Sequence, residues 1–181
     1  MYLTKEKYFE KIKSSHGYWK KAQRRWEYFE YVINFLKENK LEKILELGSF
    51  GINLTSKSDN MDLNIKFIDK DNINNKIYLQ DAKNIPYDIR DKYYDAFIAL
   101  QVFEHLGESQ SLVFNEIKRT SKCAILSFPY KWNCPGDVSH HMITKEKIKE
   151  WTNNEIPYKI KYFFDYNKKI LLIRVVYIFK F

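Results

Sequence analysis

Glycine and proline are scarce in this chain: five of the first and four of the second among 181 residues. Each is therefore expected to stand where the backbone needs it, and low-complexity architectures are excluded. Cysteine is scarcer still. Cys123 and Cys134 are the only two, which excludes a disulfide framework. No run of about 18 uncharged apolar residues occurs, so no transmembrane helix is expected. The apolar stretch 170–181 is too short to span and is interrupted by Arg174. The first six residues lack the apolar centre and cleavage site of a secretory signal. Together these absences predict a cytoplasmic protein.

Charge and aromatic residues, by contrast, are plentiful. The formal net charge is +8, and 17% of the residues are aromatic. The length suffices for a single domain with a core of its own. Much of the positive excess falls in the N-terminal region, at Lys5, Lys7, Lys11, Lys13, Lys20, Lys21, Arg24 and Arg25. A solvated lysine-rich surface accounts for such an excess. An anionic substrate, a nucleic acid or an acidic membrane surface are its functional readings.

Residues 2–39 read as helical. Tyr8, Phe9, Ile12, Trp19, Trp26, Phe29, Val32, Ile33 and Leu36 recur at three- and four-residue spacings, and Gly17 divides them into two helices. From residue 43 the pattern changes to short apolar runs at 43–47, 65–68, 77–79, 96–100 and 124–128. They lack polar alternation, as strands of a parallel sheet covered on both faces do. Helical spacing returns at 109–119, and another helix is predicted to begin at Thr144. Two β-rich runs, 158–166 and 170–181, are joined by three polar residues and read as an antiparallel hairpin.

The first strand runs into Glu46-Leu-Gly-Ser-Phe-Gly51. Gly48 and Gly51 would let backbone approach a ligand, and Glu46 would accept hydrogen bonds from hydroxyl or ammonium groups. That combination suits a nucleoside. Asp69 and Asp81 follow the second and third predicted strands. Ligands of open parallel sheets bind outside those strand ends. Asp69 lies 21 residues beyond Gly48, a spacing that suits a carboxylate on ribose hydroxyls. Each acid taken singly could instead cap a helix or brace a loop.

With these residues in place, the chain resembles the class I S-adenosylmethionine-dependent methyltransferases over roughly residues 40–155. Glu46–Gly51 is similar to that family's first motif, Ile68-Asp69 to its ribose acid, and Asp81-Ala82 to its adenine-side motif. The segment Tyr94-Asp-Ala-Phe-Ile-Ala-Leu-Gln-Val-Phe-Glu-His-Leu106 is the most specific match. The resemblance implies a Rossmann-like doubly wound α/β fold. Its sheet would have seven strands, mostly parallel, with an antiparallel C-terminal hairpin. Residues 1–181 would form one domain, with 1–39 covering the site and 40–181 forming the core. It implies S-adenosyl-L-methionine as cofactor and S-adenosyl-L-homocysteine as product. Glu46, Gly48, Ser49 and Gly51 would line the methionine end, Asp69 the ribose, Asp81 and Ala82 the adenine. Leu100 and Gln101 would lie beside the sulfonium.

Methyl transfer needs a nucleophile held in line, and a hydroxyl or amine acceptor gains from a general base. His105, after the fourth strand, and His140 and His141, in the loop 130–142, are the candidates. No metal site is expected, because two adjacent histidines with Asp137 do not converge on one ion without further ligands. Two departures from the family stand out. Phe50 replaces a glycine, and the polar stretch 52–61 reads as a loop where a helix would attract the methionine carboxylate. Arg24, Arg25 or Lys57 could supply the missing positive charge.

The sequence thus points to methyl transfer to O or N of a small, in one reading anionic, bacterial metabolite. A saccharide or nucleotide-linked sugar of surface-polysaccharide synthesis is the acceptor suggested. A nucleic-acid methyltransferase, using the basic N-terminal helices on phosphates, is the alternative. A non-catalytic binding module with the same fold is the third reading. A dehydrogenase is disfavoured, since Gly-x-Gly-x-x-Gly is absent and Glu46 would face a pyrophosphate.

Overall fold

The computed structural model describes residues 1–14, 25–48, 52–56, 58–61, 77–78, 81–137, 139–167 and 170–181. Two helices come first, α1 (Lys5–Ser14) and α2 (Trp26–Glu38). Tyr8 and Ile12 of α1 stand one turn apart and are buried, so they present one apolar stripe. On α2 the stripe is wider: Trp26, Phe29, Val32, Ile33 and Leu36 are all buried. The two helices meet through Tyr8, whose ring centroid lies 5.4 Å from Trp26 and 5.3 Å from Phe29.

The strands are β1 (Ile44–Leu47), β2 (Asp59–Met61), β3 (Ile77–Tyr78), β4 (Ala96–Leu100), β5 (Cys123–Tyr130), β6 (Lys159–Asn167) and β7 (Ile170–Lys180). They form one mixed sheet in the order β3-β2-β1-β4-β5-β7-β6. The first five pair in parallel, while β7 runs antiparallel to both β5 and β6. The central strands β1, β4 and β5 are apolar and buried on both sides because both faces are covered. Ala96 and Ile98 of β4 and Ile125 of β5 pack with α1 and α2. Phe97, Ala99, Leu126 and Phe128 pack on the other face. There they meet α3 (Gln110–Thr120) and α4 (Lys145–Trp151) through Val113, Phe114, Ile117, Ile148 and Trp151. Thr144 caps α4, its hydroxyl accepting from the Lys147 amide at 3.3 Å.

One strand departs from the sequence reading. Asp59–Met61 lies in the stretch expected to be loop, yet it pairs with β1 in the register Leu45↔Asp59 and Leu47↔Met61. Backbone pairing, not an apolar run, defines it, and Asp59 accepts a hydrogen bond from the Tyr94 hydroxyl at 2.6 Å. The run 65–68, assigned from sequence to the second strand, lies outside the described residues.

The β1-to-β2 connection shows no helix among its described residues. Parallel strands normally need one. Here Ile52 and Leu54 are buried in its place against the α2 side of the sheet. The N-terminal residues strap this connection from outside. Leu3 N–H donates to the Leu54 carbonyl at 2.8 Å, Ser56 N–H to the Met1 carbonyl at 2.9 Å, and Tyr2 bridges Thr55.

Candidate functional site

The strand order reverses between β1 and β4, and the site gathers at the C-terminal ends of these two strands, where open α/β sheets bind ligands. Gly48 ends β1 with φ at +65°, and its N–H donates to the Met61 carbonyl at 3.0 Å. A Cβ there would sit 2.8 Å from Cγ1 of Val102. The backbone can therefore lie against the β4 terminus only without a side chain. Ser49 and Gly51 lie outside the described residues.

Glu46 is buried, and its carboxylate works inward. Both oxygens accept from the Leu54 amide, at 3.0 and 3.1 Å, and one also accepts from the Ser58 hydroxyl. Burial pushes its pKa up to about 7, against the lowering effect of the bonds from Ser58, Leu54 and Thr55. Glu46 therefore pins the connection from β1 to β2 while forming part of a cleft wall. Gly48, Leu54, Leu100 and Arg25 line the same cleft. Arg25 precedes the first residue of α2, so the N-terminal helices deliver a guanidinium to the β1 turn.

The other expected cofactor contacts divide. Leu100 lines the cleft, and Gln101 follows it in a left-handed conformation, φ +58°. That turn is fixed by Gln101 N–H, which donates to the Ser127 carbonyl at 3.1 Å and its hydroxyl at 3.0 Å. Asp81 is half-buried and braces a turn, accepting from the Lys83 amide at 2.9 Å. Ala82 is buried, its carbonyl taking the Tyr87 hydroxyl at 2.6 Å. Asp69 lies outside the described residues. So does Asp62, the residue that follows β2 in the chain.

Beyond β4 the chain enters a 3₁₀ segment, Phe103–Ser109, kinked at Gly107. It carries Glu104 inward and His105 outward. Glu104 has no exposed side-chain surface, and neither carboxylate oxygen has a hydrogen-bond partner among the described residues. Burial pushes its pKa up to about 8; the Glu104 backbone and Arg25 oppose this, and Asp137 adds to it. The loop after β5 brings His140 over the segment, with its ring centroid 4.7 Å from that of His105 and nearly perpendicular. His140 Nδ1 bonds to the Asp137 carboxylate, while Nε2 faces Glu104 Oε1 at 3.7 Å. Partial burial, then the neighbouring His140, hold the His105 pKa below its ordinary value. His105 is thus kept neutral and able to accept a proton at neutral pH.

His105 and His140 therefore converge, and His141 does not. Its Nδ1 accepts from the Cys134 amide at 3.1 Å and so fastens the loop. Glu104 is the residue that sequence reasoning passed over. A lone carboxylate inside the apolar run from Phe97 to Leu106 was the available signal. The expectation of no metal rested on Asp137 and the adjacent histidines; the set that converges is Glu104, His105 and His140, whose ligand atoms all lie within 4.8 Å of one another.

No protein-family model and no curated protein matches the chain in sequence. Solved structures do match in fold. Magnesium protoporphyrin IX methyltransferase from Synechocystis, with bound S-adenosylmethionine, superposes with a TM-score of 0.63 at 12% identity, over 98% of this chain and 92% of that one. The methyltransferase domain of a bacterial CtHen1 gives 0.58 at 15% identity, over 88% and 98%. TehB from Haemophilus influenzae gives 0.61 at 17% identity, over 83% of this chain and 61% of that one. The chain thus has the fold of class I S-adenosylmethionine-dependent methyltransferases. Among the described residues, no helix is long and apolar enough to cross a membrane.

Proposed function

We propose that this protein binds S-adenosylmethionine in the cleft at the β1 and β4 ends and transfers its methyl group to an oxygen or nitrogen of a small molecule. The observation that carries the reading is the juxtaposition at one strand-order reversal of a side-chain-free turn, Gly48, and a histidine–carboxylate cluster one strand-end away. The fold neighbours that hold S-adenosylmethionine and S-adenosylhomocysteine support the cofactor. Arg25 supplies the charge that a helix N-terminus would otherwise offer the methionine carboxylate. Asp81 and Ala82 would meet the adenine, and Leu100 and Gln101 the sulfonium. The ribose acid is Asp69 by sequence spacing or Asp62 by its place after β2. His105 is the base for the acceptor, with His140 beside it.

Nothing among the neighbours supports a saccharide acceptor, so the acceptor is proposed only as a small oxygen or nitrogen nucleophile. The nucleic-acid reading keeps one support, the lysine-rich α1.

Calorimetric titration with S-adenosylmethionine tests the reading. Binding is expected, and its absence at millimolar cofactor would sink it. Arg25→Ala should weaken binding about 10–100-fold, the worth of a charge-assisted hydrogen bond. The variants Asp62→Ala and Asp69→Ala decide the ribose role, since only one should weaken binding by a similar factor. If neither does, both assignments fall.

A further inference from the structure

We propose that Glu104, His105 and His140 form a binding site for one divalent transition-metal cation beyond the C-terminal end of β4. Their ligand atoms already lie within 4.8 Å of one another. The second observation is the state of Glu104. Its side chain is fully buried and both carboxylate oxygens lack a hydrogen-bond partner among the described residues. A buried carboxylate without a partner is costly, and native structures retain one where something else completes it.

The orientation of His140 gives a third reason. Asp137 holds its Nδ1. In the neutral ring Nδ1 then carries the proton, and Nε2 is a lone pair. That lone pair faces Oε1 of Glu104, also an acceptor, at 3.7 Å. Two acceptors aimed at each other repel unless a proton or a metal cation lies between them, and a metal cation would serve His105 as well. A carboxylate behind a ligating histidine is also the usual support of a metal-bound imidazole. The loop holds this pose: Trp132 stacks on His140, with centroids 6.1 Å apart, and its Nε1 donates to the Ile173 carbonyl at 2.8 Å.

One oxygen and two imidazole nitrogens suit Mn²⁺, Fe²⁺, Co²⁺ or Zn²⁺, whereas Ca²⁺ and Mg²⁺ prefer oxygen-rich sets. Three protein ligands leave coordination positions open. In the methyl-transfer reading, on which this last step rests, an acceptor hydroxyl takes one of them. Coordination favours release of its proton to solvent, in place of transfer to His105, whose lone pair is then held by the cation. The oxygen lone pair then forms a bond to the methyl carbon, and the carbon–sulfur pair returns to sulfur, leaving a neutral thioether.

The test is titration of chelator-stripped protein with Mn²⁺, followed by calorimetry and by thermal unfolding. Saturable binding of one ion per chain and a rise in Tm with Mn²⁺ are expected. Glu104→Gln should weaken binding by at least ~10–100-fold, the loss that follows removal of even an outer-shell partner. This variant removes a buried ionisable group without changing shape, so in chelator it should melt no lower than wild type, which separates ligand loss from misfolding. His140→Ala should lose the Mn²⁺-dependent rise in Tm as well. Absence of saturable binding of Mn²⁺, Co²⁺ and Zn²⁺ would overturn the proposal, as would an unchanged Mn²⁺ affinity in Glu104→Gln. S-adenosylmethionine titrated in parallel keeps the two readings apart. Cofactor binding without metal binding removes only the metal site, and the reverse removes only the methyl-transfer reading.

Discussion

Replacing Gly48 by alanine is expected to cost the fold about 2–5 kcal/mol, from two sources that can be separated. The first is the backbone: at φ +65° an L side chain costs roughly 1–2 kcal/mol. The second is the neighbour. A Cβ would stand 2.8 Å and 2.9 Å from the two Cγ atoms of Val102, closer than real contacts allow. Overpacking of that kind costs about 1–3 kcal/mol. Val102 cannot swing away freely, since it is buried between the β4 end and the 3₁₀ segment. Urea unfolding of Gly48→Ala in the wild-type and Val102→Ala backgrounds measures both. Only the backbone part should remain in the second background, so the two substitutions should couple by ~1 kcal/mol or more. Equal costs in both backgrounds would show that Val102 imposes no limit on the turn. The rate of methyl transfer should fall as well. A shift of about 1 Å in a positioned group is enough to cost on the order of 100-fold.

Gly48 was legible because a scarce residue closed an apolar run. The strands β1, β4 and β5 were legible for the same reason, as short runs apolar on both faces. Strand β2 was not. Asp59 and Asn60 carry no apolar signal, and what makes them a strand is pairing to β1 and the Tyr94 bond to Asp59. The cluster around Glu104 was half legible. His105 stood out at a strand end, but the role of Glu104 depends on His140 arriving over it from a different loop. Sequence alone could not separate His140 from His141 either. One bonds to Asp137 and faces the cluster, the other is spent on the Cys134 amide, and that choice is made by the path of the loop. Glu46 was read as a ligand contact, while most of its hydrogen-bonding capacity goes to the chain itself.

That use of Glu46 gives the protein a stability that falls as pH rises through neutrality. Its pKa in the folded state is about 7, raised by burial from an ordinary 4.5. Between those two values the folded chain keeps a proton that the unfolded chain has released. Stability therefore decreases with rising pH across this window and levels off for Glu46 above pH 7. The loss is on the order of 3 kcal/mol, taking 1.36 kcal/mol for each tenfold change in proton affinity. Glu104, pushed up by burial to about 8, adds a slope of the same sign, while His105, held below its ordinary value by burial and His140, adds one of opposite sign. Asp95 and Glu116 do not interfere. In each, burial is outweighed: by bonds from Lys122 and the Lys43 and Glu42 amides at Asp95, and by Arg119 and the Tyr87 amide at Glu116. Their stabilisation is lost only as pH falls below the window. Glu46→Gln isolates the effect. The amide can still accept from Leu54 N–H and donate to the Ser58 oxygen, so at pH 5 the variant should match wild type within about 1 kcal/mol. At pH 8 it should be the more stable of the two, as urea unfolding at both values would show. A wild-type slope that survives unchanged in the variant would assign the pH dependence to other carboxylates. The crossover pinned by Glu46 would then owe its geometry to Ile52 and Leu54 packing and to the N-terminal strap alone.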